Sequence, residues 1–372
     1  MQSSIQTCSH HAFHGGEFFK AVGNDFQSLE NAQKIINADV LDAWYDPAPE
    51  IINTLNKQLP WLIKSSPPTH SEGLKQQLCE RFSLLPENIL LAGGSSDVLF
   101  ILFPNMLSKN DKVLILDPSY SEYSHLIQSV TQSVCIRYKL KKDQKFQIEL
   151  SDFINFIHAQ KPDYVVLINP NSPVGGHLSR DECLTLIKQF PFINFIIDET
   201  YSDYLKPSVS LSSDVASFNN LIIIKSMSKV FALSGLRIGY LLACNTIVEK
   251  LSRFLAPWSV GTLAQCAAIM ALQNMHYYEQ KIKETLMLKN IILKQYRRLK
   301  NIAIYNSCAN FFAIELHHTD ADRVLNILKK DNIFIRNCQN MSVQFNNNFL
   351  RIAVKNEDQN QAIFSAFKQA VT

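Results

Sequence analysis

Short apolar runs that each end in turn residues punctuate the first two-thirds of the chain: NILLAG (88–93), KVLILDP (112–118), DYVVLINP (163–170), FINFIIDE (192–199) and NLIIIKS (220–226). Val, Ile and Leu fill them at nearly every position instead of every second one. Alternation marks a strand with one wet face, and its absence marks a strand buried on both. The intervening segments are long enough to hold helices. One of them, SRDECLTLIKQF (179–190), opens on a serine suited to cap a helix N-terminus. Strands buried on both faces and separated by helices predict a mainly parallel, doubly wound α/β sheet.

After about residue 245 the pattern changes to long helical stretches such as HYYEQKIKETLMLKNIILKQYRRLK (276–300), then to the strand-like FFAIEL and FLRIAV. A chain of 372 residues exceeds what one growing core supports. The expected division is a large domain over 51–279 and a smaller α+β domain over 280–372, joined by the N-terminal segment 1–50.

Open α/β sheets bind ligands beyond the carboxyl ends of their strands. Here those ends read GGSSD, DPSY, NPNSP, DETY and SMSK, so five strand tips are expected to converge on one site. Lys+Arg 36 against Asp+Glu 33 gives a net charge of +3, and no basic run is interleaved with aromatics, which argues against nucleic acid as a partner. Eight cysteines without a CxxC pair read as reduced thiols and point to the cytoplasm. The N-terminus carries no basic-then-apolar leader pattern, and no stretch approaches eighteen uninterrupted apolar residues, so neither secretion nor a membrane is expected. His317 and His318 are adjacent and would face opposite ways on a strand, so no metal site is read there.

The chemistry concentrates in KSMSKVFALSGLRIGYL (225–241). Lys229 follows a predicted strand, where a partly buried amine can lose its proton and act as a nucleophile. Ser226 and Ser228 bring hydroxyls, and Arg237 brings a fork suited to phosphate. An amine beside a phosphate-binding set calls for a phosphorylated aldehyde.

This stretch resembles the pyridoxal-phosphate lysine motif of the class I/II aminotransferase family, Ser-x-Ser-Lys followed by Gly-Leu-Arg-x-Gly, matched over 226–240. The resemblance implies the fold type I architecture, pyridoxal 5'-phosphate as cofactor, Lys229 as the residue joined to it, and Ser226, Ser228 and Arg237 around its phosphate. It also implies that Asp198 holds the pyridine nitrogen protonated, that Tyr201 donates to the ring oxygen, and that Tyr120 stacks on the ring. Ser95 and Ser96 resemble the turn that cradles the phosphate at a helix N-terminus. In INPNSPVGG (168–176) the family pattern expects an asparagine where Ser172 stands, so either Ser172 or Asn171 contacts the ring oxygen. Arg351 falls at the family's carboxylate-binding arginine, and Arg336 lies fifteen residues earlier, placed for a second anion.

The whole chain resembles the histidinol-phosphate aminotransferase and threonine-phosphate decarboxylase branch, through AFHGG, APWSV, IFIRNC and LRIAVKNEDQN. That adds His14 and Trp44 to the substrate residues, Arg336 as the reader of a substrate phosphate, and a homodimer as the assembly. Trp44 and Tyr45 replace a small polar stretch of the decarboxylase, and Ser66 stands where the family's cross-dimer tyrosine belongs, with Thr69 or His70 as replacements. Transamination ranks first and decarboxylation second, the outcome depending on which bond at Cα stands perpendicular to the ring. A binding protein that has lost its chemistry is a reading of another class, motivated by Ser66 and Ser172. A dehydrogenase ranks far behind, since no GxGxxG follows the first strand.

Overall fold

The computed structural model describes residues 15–371 apart from 24, 25, 27 and 206–208. Two sheets organise it. The larger contains β2 (Ile89–Ala92), β3 (Lys112–Asp117), β4 (Val134–Lys139), β5 (Tyr164–Ile168), β6 (Asn194–Asp198), β7 (Leu221–Ser226) and β8 (Gly239–Ala243), in the spatial order β2-β8-β7-β6-β5-β3-β4. The ladders from β4 through β3, β5 and β6 to β7 are all parallel, and β8 alone runs antiparallel to its neighbours β7 and β2. The smaller sheet has the order β1-β11-β12-β10-β9, formed by β1 (Ile36–Ala38), β9 (Ile302–Asn306), β10 (Phe311–Leu316), β11 (Ile333–Asn337) and β12 (Phe349–Ala353). Its one parallel pair is β1 with β11, so the N-terminal segment completes a sheet built from the C-terminal quarter.

The unbroken apolar runs have a simple cause. In β7, Leu221 and Ile223 enter the core on one side of the sheet, while Ile222 and Ile224 enter the core on the other. One side is covered by the helices Ser95–Met106 and Asn245–Ser252, through Val98, Leu102, Phe103, Ile247 and Leu251. The other is covered by Leu150–Gln160 and Arg180–Gln189, through Phe153, Ile157, Cys183 and Leu186. Each such side chain contributes about 1.5–3 kcal/mol when removed from water, which makes a polar residue on either face of these strands costly. The mainly parallel sheet expected from the sequence is thus observed.

The helix read over 179–190 spans Arg180–Gln189, and Ser179 accepts from the Glu182 amide in a capping box with Glu182. The strand β4 escapes the sequence reading because it lies at the sheet edge, and its side chains are only partly buried. Among the described residues no helix is long and apolar enough to cross a membrane.

Candidate active site

A cavity lies beyond the carboxyl ends of the parallel strands. All five strand tips supply lining residues: Ser95 and Ser96 after β2, Tyr120 after β3, Ser172 after β5, Asp198 and Tyr201 at and after β6, and Ser226, Ser228 and Lys229 at and after β7. Gly15, Asp39, Arg237, Arg336 and Arg351 close the remaining walls.

At one end the chain forms a compact anion cradle. Ser95 and Ser96 open the helix Ser95–Met106, whose free amides carry partial positive charge. The Arg237 guanidinium lies against that turn, its Nη1 donating to the Ser234 carbonyl at 3.0 Å and to Ser228 Oγ at 3.4 Å. Gly94 makes the approach feasible: it has φ 103°, and a Cβ on it would stand 2.5 Å from Arg237 Nη2. The Ser228 hydroxyl, a helix N-terminus and a guanidinium thus come together at this end of the cavity.

Asp198 ends β6 at the floor of the cavity. Its Oδ2 accepts from Tyr123 Oη at 2.7 Å and its Oδ1 from the Thr200 amide at 2.9 Å. Burial pushes this carboxyl above its ordinary range, and the bonds from Thr200 and Tyr123 oppose that without cancelling it. Behind it, Lys225 Nζ donates to Ser202 Oγ at 2.9 Å and to Glu199 Oε2 at 3.3 Å, fixing the turn that carries Asp198 and Tyr201. Burial raises both cavity phenols, Tyr120 to about 12 and Tyr201 further, while the cavity arginines pull them back.

The other end is built by the small sheet. Arg336 on β11 and Arg351 on β12 are direct cross-strand partners, a register that places two like charges opposite each other. Neither is at an edge, and both are almost fully buried. Asp39, the residue after β1, relieves the repulsion: its Oδ1 lies 3.5 Å from Arg336 Nη1, and its backbone carbonyl accepts from Arg351 Nη2 at 2.9 Å. Arg351 Nη1 donates to Ser172 Oγ at 2.8 Å, and the Gly16 amide donates to Asp39 Oδ2 at 2.8 Å. Burial and the facing Arg351 push the Arg336 guanidinium down, with Asp39 opposing.

Of the residues singled out from the sequence, Ser95, Ser96, Tyr120, Ser172, Asp198, Tyr201, Ser226, Ser228, Lys229, Arg237, Arg336 and Arg351 all line this cavity. Two do not. Asn171 is buried outside it, with Nδ2 donating to the Pro118 carbonyl at 2.9 Å, so of the pair left open it is Ser172 that faces the cavity. Trp44 turns away, its Nε1 donating to Thr285 Oγ1 at 2.9 Å and the Lys281 ammonium lying 4.8 Å over its ring. Within one chain Thr69 and His70 face a separate depression beside Ala256, Pro257 and Ser259. His14 lies outside the described residues.

Asp39, Asp42, Tyr123 and Thr200 were missed. Asp42 Oδ1 accepts from Lys229 Nζ at 3.1 Å. The two aspartates stand in NADVLDAWYDP, where the large rings of Trp44 and Tyr45 drew the sequence reading instead. Tyr123 was within reach, being the second aromatic of DPSYSEY.

A family model described as aminotransferase class I and II matches residues 37–367, and the chain belongs to that family. Among curated relatives it is 29% identical over 362 residues to the adenosylcobalamin biosynthesis bifunctional protein CobDQ of Leptospira interrogans, covering 95% of this chain but only 40% of that longer relative. It is 26% identical over 325 residues to a histidinol-phosphate aminotransferase of a Thermoanaerobacter species, covering 86% of this chain and 90% of the relative. With L-serine phosphate decarboxylase of Campylobacter jejuni it shares 25% identity over 309 residues, 80% of this chain and 78% of the relative. The solved structure of a histidinol-phosphate aminotransferase from Clostridium acetobutylicum superposes with TM-score 0.81 at 24% identity, over 90% of this chain and 98% of that one.

The cofactor is pyridoxal 5'-phosphate. The cavity fits it on its own geometry: a cradle of Ser95, Ser96, Ser228 and Arg237 against which a Cβ on residue 94 would press, a lysine amine, and a buried carboxylate.

Proposed function

We propose that this enzyme transfers the amino group of a small, phosphorylated or otherwise dianionic amino acid or amine, with Lys229 as the residue that carries the cofactor. Bound pyridoxal phosphate supplies an electron sink conjugated to the substrate Cα. The chain's residues do the rest. Ser95, Ser96, Ser226, Ser228 and Arg237 hold the phosphate, and Asp198 keeps a proton on the pyridine nitrogen. Tyr201 and Ser172 would bond the ring oxygen, and Tyr120 would pack on the ring. Lys229 Nζ, once released, takes a proton from Cα and returns it elsewhere.

The observation that carries the reading is the fixed pose of Arg351. Ser172 Oγ and the Asp39 carbonyl hold its two terminal nitrogens, so its orientation is set before substrate arrives. A pre-set fork would restrain the substrate carboxylate, and a restrained carboxylate favours loss of the Cα proton over loss of carbon dioxide. Arg336 beside it meets the second anionic group. A homodimer working in the cytoplasm completes the proposal, supported by the family relationship and by the seven free cysteines among the described residues.

Decarboxylation is the second reading, favoured by the likeness to the L-serine phosphate decarboxylase. Incubating the enzyme with phosphoserine, phosphothreonine, histidinol phosphate and common amino acids, each with 2-oxoglutarate, separates the two. Keto-acid or, from histidinol phosphate, ketone product formed in step with glutamate is expected. Carbon dioxide released without such a product would replace transamination by decarboxylation.

A further inference from the structure

Lys229 is not alone at the cavity wall. Asp42 Oδ1 accepts from both Lys229 Nζ at 3.1 Å and Ser234 Oγ at 2.8 Å. Asp42 sits in the loop between β1 and the helix Pro49–Lys64, and that loop is pinned on three sides. Asn310 Nδ2 donates to the Leu41 carbonyl, Trp44 Nε1 to Thr285 Oγ1, and Tyr45 Oη to the carbonyl of Val230, the residue after Lys229. Of the two rings that depart from the decarboxylase pattern, Tyr45 thus fastens the Asp42 loop to the Lys229 loop, and Trp44 fastens it to the helix Met275–Tyr296.

A second ammonium reaches the same place from the small sheet. Lys355, two residues beyond β12, is 6% exposed, and its Nζ donates to the Asp42 backbone carbonyl at 3.3 Å. Burial pushes it down to about 8, with Asp42 pulling up and Lys229 pushing down. The Asp42 carboxyl is itself held below the ordinary range: burial would raise it, but Lys229, Ser234 and Lys355 outweigh that. The groups facing this carboxylate are therefore Lys229 and Ser234 from the loops after β7, Lys355 from the segment after β12, and the Tyr201 phenol from the turn after β6.

We propose that Asp42 is a positioning residue that holds the Lys229 side chain by an ion pair in the cofactor-free protein, and that Lys355 acts as a counter-charge keeping the hold weak enough to release. The inference rests on Lys229 being the cofactor lysine. An amine condenses with an aldehyde through its lone pair: the carbon–nitrogen bond forms, the carbonyl oxygen leaves as water, and the ammonium proton must first pass to solvent. The ion pair with Asp42 at 3.1 Å must break for that step, and a nearby cation loosens it. Asp42 thus keeps the lysine in place until the cofactor arrives, at the cost of slower attachment.

The test is the rate at which the cofactor-free, full-length protein acquires the visible absorbance of lysine-bound pyridoxal 5'-phosphate, followed from pH 6 to 10. Asp42→Asn is expected to load about 3–10-fold faster at pH 7, with a changed pH–rate profile. Lys355→Met is expected to load more slowly by a comparable factor. Opposite signs from two substitutions around one carboxylate are not produced by general damage to the fold. An unchanged profile in Asp42→Asn, or a shift of both variants in the same direction, would overturn the proposal. Lys229→Ala serves as the separate arm: if it still binds the cofactor covalently after borohydride reduction, the lysine assignment fails first and Asp42 falls with it.

Discussion

The two ends of the cavity, proposed above for the cofactor phosphate and for the substrate, are made in different ways. The phosphate end is assembled by local chain: Ser226, Ser228, Lys229, Ser234 and Arg237 lie within twelve residues, and the Gly94–Ser95 turn meets them across β2 and β8. The substrate end joins segments hundreds of residues apart, with Asp39 from the N-terminal segment, Ser172 from the large sheet, and Arg336 and Arg351 from the small one. A local site is fixed once its loop folds. A site shared between two sheets is set by how they pack, so its geometry is the place where substrate choice can change without loss of the cofactor.

That contrast can be broken or sharpened experimentally, beginning with the largest effect. Lys229→Ala is expected to reduce turnover by at least about 10³-fold and abolish the visible band, because among the described residues no other lysine lines the cavity. Turnover within about tenfold of the parent would move the chemistry elsewhere.

At the substrate end, Arg351→Lys keeps the charge but loses the fork held by Ser172 and Asp39. A loss of about 1.5–3 kcal/mol is expected, or roughly 10–150-fold in kcat/KM, confined to substrates that carry a carboxylate. An equal loss for an amine without one would show that the two ends are not separable.

Gly94→Ala perturbs the phosphate end alone. Its Cβ would meet Arg237 Nη2 at 2.5 Å in a left-handed backbone, a strain of about 1–3 kcal/mol. Cofactor affinity should fall by roughly tenfold or more while KM for the amino donor in the saturated enzyme stays put.

The smallest effect is on stability. A carboxyl whose folded value is raised favours the unfolded chain once ionised. The penalty from Asp198 is therefore present at neutral pH and disappears as pH falls below the ordinary carboxylate range, near about 4. Asp198→Asn should raise the Tm of the cofactor-free protein at pH 7 by about 2 °C, with the gain fading toward pH 4, even as it slows the reaction. A lower Tm at pH 7 would mean that the carboxylate is net stabilising in the fold.

The same contrast explains what the sequence made legible. The parallel sheet was readable because β3, β5, β6 and β7 are apolar on both faces, and the phosphate end because its residues fall in one short motif. Arg351 was readable only through family resemblance, since nothing in FLRIAV distinguishes a central strand arginine from an edge one. Asp39 and Asp42 were invisible: an aspartate in a polar loop reads as solvated, and only the pairing of β1 with β11 brings Asp39 to Arg336. The misplacement of Trp44 has the same origin, for its ring could be read as a wall of the pocket until Thr285 and Lys281 claimed it.

The most direct test is to reduce the cofactor-loaded protein with borohydride, digest it and locate the modified lysine by mass spectrometry. The account predicts the pyridoxyl group on Lys229 alone. Its appearance instead on Lys355, the buried neighbour across Asp42, or on Lys225 on β7 just before the Lys229 loop, would contradict it.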